Sequence, residues 1–138
     1  MAGELTKDIR KVSVTITNEN GKRRTLTALY DYTYLGPEKI EKRDSANKGD
    51  TFLRRKEDKS ADYTVVVKSG TQDEKFLDEI AHNTLAFDMI IVDESSKLYP
   101  KQYTAKECYI SQVPEDSFRE IDNRTYSIMA SNSKLDPL

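Results

Sequence analysis

The chain has 138 residues, 36% of them apolar and 33% charged, with no Trp and a formal net charge of −2. That length fits one domain, residues 1–138, able to bury about two-thirds of its extended surface, while the thin apolar fraction implies a small core plus a segment that does not pack alone. The charge balance argues against a broad basic face for nucleic acid, and one cysteine excludes an internal disulfide.

Residues 12–17 read Val-Ser-Val-Thr-Ile-Thr, the apolar/polar alternation of a half-buried strand. Asn20-Gly21 suits the positive φ angles of a tight turn, and residues 24–30 resume the alternation, so the first thirty residues are expected to form a β-hairpin. Residues 1–11 form an N-terminal arm. From 36 to 62 the pattern stops: 15 of these 27 residues are charged, eight basic and seven acidic. A structureless insertion of this length is uncommon inside a compact domain. It reads either as a solvated linker or as an extended loop ordered by a partner, for which Ile40, Phe52 and Leu53 are apolar anchors.

Residues 63–68 predict a buried strand. Thr71-Gln72-Asp73-Glu74 has the form of a capping box, and Phe76, Leu77, Ile80, Ala81 and Leu85 fall at helical spacing behind it. Residues 87–93 and 103–112 predict two more strands, and 124–130 a closing one, in which Thr125, Ser127 and Ser131 share the polar face. The resulting expectation is a mainly β, α+β fold: an antiparallel sandwich or barrel of about six strands with a flanking amphipathic helix and a long charged loop.

The residues offer little chemistry. His82 has no second histidine with which to hold a metal and reads as a surface partner of Asp78 or Glu79; Cys108 reads as a small buried hydrophobe. No nucleophile motif or phosphate-binding glycine loop is present, so neither an enzyme nor a cofactor is expected. No stretch reaches the roughly 18 apolar residues of a helical membrane span, and the opening residues lack the apolar run of a signal peptide, so a cytosolic place of synthesis is expected. The eight tyrosines are more informative. Tyr30, Tyr32 and Tyr34 alternate into the charged loop, which fits an amphipathic sheet surface or a subunit contact.

The stretch from 64 to 130 resembles the small tail tube proteins of long-tailed phages, particularly those with contractile sheaths. The resemblance rests on a Thr-Val-Val-Val strand leading through Ser69-Gly70 to a helix with Asp78-Glu79-Ile80-Ala81, and on an apolar strand ending at Asp93. It continues with Ala105-Lys106-Glu107-Cys108-Tyr109-Ile110, the turn Val113-Pro114-Glu115-Asp116 and the closing Arg124-Thr125-Tyr126. Glu115 interrupts the family's Pro-Asp turn, and the first sixty residues match less clearly.

What the resemblance implies is a virion tail protein, assembled in the host cytoplasm, whose hexameric rings stack into a tube that conducts DNA during ejection without binding it. Sheath, baseplate and terminator proteins would be its partners. Arms such as residues 1–10 and 36–62 would reach neighbouring rings, with Tyr30, Tyr32, Tyr34, Ile40, Phe52, Leu53, Arg54 and Arg55 as the contact residues. The competing reading is a β-barrel nucleic-acid-binding module whose basic arm is Lys39, Lys42, Arg43, Lys48, Arg54, Arg55, Lys56 and Lys59. Interleaved Glu38, Glu41, Asp44, Asp50, Glu57 and Asp58 cancel much of that field.

Overall fold

A computed structural model describes residues 8–36, 40–44, 51–55, 59–114 and 122–138, with 40–44 and 51–55 as backbone alone. The strands are β1 (Val12–Asn18), β2 (Arg23–Thr25), β3 (Leu29–Leu35), β4 (Ile40–Asp44), β5 (Thr51–Arg55), β6 (Ala61–Lys68), β7 (Phe87–Asp93), β8 (Lys101–Gln112) and β9 (Asn123–Pro137). The helix, α1, spans Gln72–His82. Seven strands form one antiparallel sheet in the order β2-β1-β7-β8-β9-β6-β3, and β4 pairs with β5 in a separate ribbon.

The mainly β, one-helix expectation holds, with more strands than the six expected. Three boundaries differ. The predicted first hairpin is short: β1 meets β2 only from Thr15↔Thr25 to Thr17↔Arg23, around a turn where Gly21 takes φ 82°. Leu29 and Tyr30 belong instead to β3 on the opposite edge of the sheet, paired with β6. The second difference lies in residues 36–62, read as structureless, where β4 and β5 pair from Ile40↔Arg55 to Asp44↔Thr51. Backbone pairing needs no buried face, so a hydropathy pattern does not reveal it. The third is β9, which runs on to Pro137 because β8 pairs with it as far as Lys101↔Pro137.

The alternation expected in β1 and β9, and found also in β6 and β7 where the sequence predicts buried strands, sends Val14, Ile16, Tyr63, Val65, Val67, Met89, Ile91, Tyr126 and Ile128 to one face, all nearly inaccessible to solvent. Onto this face α1 lays Phe76, Leu77 and Ile80. Each such large side chain contributes roughly 1.5–3 kcal/mol on burial. The helix begins as expected: Thr71 Oγ1 accepts from the Glu74 N–H (3.4 Å), while the Glu74 carboxylate accepts from the Gly70 N–H (3.3 Å).

The sheet curls. Four strand steps separate β3 from β7, about 19 Å if flat, yet the Tyr32 hydroxyl of β3 donates to the Asp93 carboxylate at the end of β7. The fold is therefore half a barrel with the core and helix inside the curve. Residues 26–28 carry the chain from one edge to the other. The Leu26 N–H still donates to the Val14 carbonyl of β1 (2.8 Å), but the next two amides turn to a buried acceptor: Asp73 Oδ2 takes the N–H groups of Thr27 (2.8 Å) and Ala28 (2.6 Å), and Asp73 Oδ1 takes Arg24 Nε (2.8 Å).

Candidate subunit-contact surfaces

The half barrel leaves β3 as a terminal strand, bonded to β6 on one side only. An unpaired edge of seven residues is a template for another strand. The three alternating tyrosines of this edge divide. Tyr30 is 55% exposed and free for an intermolecular contact. Tyr32 and Tyr34 are half-buried and turned to the molecule's own core, stacked in a cluster with Tyr63 and Tyr103. Tyr34 lies 4.6 Å from Tyr103 and 5.2 Å from Tyr63 between ring centroids, and Tyr32 is 6.0 Å from Tyr103. Such pairs add about 0.5–1.5 kcal/mol each beyond area burial.

Around this cluster the polar groups are matched. Burial pushes the Tyr63 phenol up to about 12, and burial with the neighbouring Asp93 raises that of Tyr32 further. Burial would raise the Asp93 carboxyl, but hydrogen bonds from Ser95 and Tyr32 outweigh it and hold the group below the ordinary aspartate value. Tyr63 shares a 2.5 Å hydrogen bond with Ser133 of β9.

Ile40, Phe52, Leu53, Arg54 and Arg55 lie in β4 and β5 by backbone, and their side chains fall outside the described residues. Residues 1–7 and the turn residues Glu115 and Asp116 fall outside as well.

The face of the sheet turned away from α1 is organised in rows set by register. Thr33, Thr64 and Ser127 are consecutive partners across β3, β6 and β9, and the hydroxyls of Thr33 and Thr64 bond to each other. Thr125 and Ser127 thus lie on a polar face, as expected from the alternation. One row differs. Tyr109, Met129, Asp62 and Leu35 are register partners across β8, β9, β6 and β3, and the three apolar members are 44%, 42% and 69% exposed.

Two clusters escaped the sequence reading. One is Asp73 in the first turn of α1, which is wholly buried as the anchor of the 26–28 crossover. The other joins β9 to the helix: Arg124 Nε lies 3.1 Å from Glu74 Oε2, and the Tyr126 hydroxyl lies 2.5 Å from Asp78 Oδ1. An arginine flanking a strand-forming aromatic was the available signal for the second; nothing local marks the first. His82 is exposed, and Glu79 pairs with Lys22 (3.9 Å). Cys108 is buried, and burial pushes its thiol up to about 12. Among the described residues no group of His, Cys, Asp and Glu is placed to hold a metal ion.

No protein-family model matches the sequence, and no curated protein is similar to it. Solved structures are similar in fold. The tail tube of SPP1 superposes with a TM-score of 0.67 at 13% identity, over 96% of this chain and 80% of that one. A chain of a native gene transfer agent virion gives 0.62 at 8% identity, over 96% and 99%. A chain of the sheath-tube complex of an extracellular contractile injection system gives 0.56 at 13% identity, over 99% and 95%. The curled sheet with its single flanking helix is therefore the fold found in phage tail tubes and related tube-bearing particles.

Proposed function

We propose that this chain is the structural subunit of a phage tail tube: six copies close a ring, and the rings stack into a conduit for DNA during ejection. The observation that carries the reading is the curled sheet with its open β3 edge, in a fold shared with the SPP1 tail tube. Edges of neighbouring copies, joined around a ring, would remove the exposed backbone that a lone half barrel presents. Contacts in such a ring are heterologous and close on themselves, while contacts between rings repeat without closing. Tyr30 on the open edge and the β4–β5 ribbon with Ile40, Phe52, Leu53, Arg54 and Arg55 serve as contacts to neighbouring copies. Sheath, baseplate and terminator proteins are the further partners, and the virion tail is the final location, reached after assembly in the host cytoplasm.

The hydroxyl-rich rows through Thr33, Thr64 and Ser127 suit a wall past which a duplex slides, since they offer no cations to phosphates. Six copies carry 6 × −2 = −12 charges per ring, which also opposes retention of DNA. Native mass spectrometry tests the ring. The expected series is hexamer and its multiples at high concentration, and a strict monomer at every concentration overturns the reading.

A further inference from the structure

Strand β8 carries an apolar residue off each of its ends. Leu98 precedes it in the turn from β7, and Val113 follows it directly. The strand has 12 residues, so its two ends stand roughly 35 Å apart. Where copies join edge to edge around a ring, hydrogen bonds run round the ring. The strands then cross it, tilted by roughly 35–45° from its axis. The two ends of β8 therefore lie on the two faces that a ring offers to the rings above and below.

The turn at the first end holds its shape. The Ser95 N–H donates to Asp93 Oδ1 (2.9 Å), the Glu94 N–H to the Lys11 carbonyl (3.0 Å) and the Tyr99 N–H to Ser96 Oγ (3.2 Å). Lys101 Nζ sits 5.0 Å from the centre of the Tyr99 ring. On this pinned turn Leu98 is 96% exposed, with Tyr99 (44%) and the exposed Lys97 on either side. A side chain already held out by its backbone loses little further freedom on docking.

At the other end, Val113 (44% exposed) forms one side of an open cleft of about 570 Å³ against α1. Ala81 adds apolar surface to the cleft, and Asp78 and Glu79 add carboxylates that remain 43% and 47% exposed. The turn thus brings two apolar side chains and a cation, and the cleft offers apolar surface beside two acids. The cleft opens on the α1 side of the sheet, away from the hydroxyl-rich rows.

We infer that the Leu98–Tyr99 turn of one copy seats in the Val113–α1 cleft of a second copy in the next ring, with Lys97 toward Asp78 and Glu79. This rests on the tube reading above and adds a contact that joins ring to ring.

Leu98→Glu in the full chain tests it, since the site is exposed and the added carboxylate would meet Asp78 and Glu79. At matched high concentration, electron microscopy should show tubes for the wild type and isolated hexameric rings for the variant. Disulfide trapping between mixed Leu98→Cys and Val113→Cys proteins gives a second readout, with the buried Cys108 silent. Tubes should yield a 98–113 heterodimer, lost when Thr125→Cys on the opposite face replaces Val113→Cys. Normal tubes from Leu98→Glu, or no more heterodimer at 113 than at 125, overturn the seat and leave the tube reading standing. Loss of the rings themselves in Leu98→Glu puts Leu98 in the lateral contact and also overturns the seat. A wild type that stays monomeric at every concentration overturns both.

Discussion

The Tyr32 hydroxyl donates to the Asp93 carboxylate, joining two strands that stand four places apart in the sheet. Tyr32→Phe removes that donor while keeping the ring in its cluster. A hydrogen bond to a charged group contributes about 1.5–3 kcal/mol, and Ser95 still donates to Asp93, so the expected loss is toward the lower figure. Urea denaturation of wild type and variant gives the difference directly. An unchanged midpoint would show that the sheet curls without this contact.

Acid should act on the same pair. The folded Asp93 carboxyl is held below the aspartate value of 3.8, so the folded state favours the ionised form. Its contribution is complete above 3.8 and is lost as pH falls below that value through the lowered one. Stability of the wild type should therefore fall in this window more steeply than that of Asp93→Asn. Parallel acid titrations of the two proteins would contradict the assignment.

Asp73→Ala should be among the most damaging single changes outside the apolar core. It orphans the amides of Thr27 and Ala28 and the Arg24 guanidinium at once, and buried unsatisfied donors cost about 1–3 kcal/mol each. Arg24→Ala, whose side chain is partly exposed, should cost less. Thermal unfolding of the two variants ranks them, and an equal or reversed order would show that Asp73 does not hold the crossover.

At high pH the buried phenols take over. Tyr63 is raised from 10.0 to about 12, with Tyr32 and Tyr126 raised further. Raised values favour the neutral form in the folded state, so their contribution is present below pH 10 and is lost as pH rises through about 12. Ultraviolet titration should show a class of tyrosines ionising together with unfolding. Cys108 should resist thiol reagents until the same transition, since its thiol is buried and raised to about 12.

Much of the fold was legible because its signals are local. Val14 and Ile16, Val65 and Val67, and Phe76, Leu77 and Ile80 each carry a periodicity that matches the face they bury. What could not be read depends on distant partners. Leu29 and Tyr30 continue the pattern of Thr25 yet cross to the other edge, because their course is set by Asp73, more than forty residues away in sequence. Likewise Tyr32 and Tyr34 alternate as surface residues do, and only the curl of the sheet brings Tyr103 and Asp93 beside them. The row of Tyr109, Met129, Asp62 and Leu35 is scattered over four strands and exists only through register.

Electron microscopy of the concentrated, purified protein is the most direct test of closed rings in stacked array. Annular particles with six-fold rotational symmetry are expected, and tubes of stacked rings at higher concentration. Particles that remain compact monomers under all conditions, or that close with another symmetry, would contradict it.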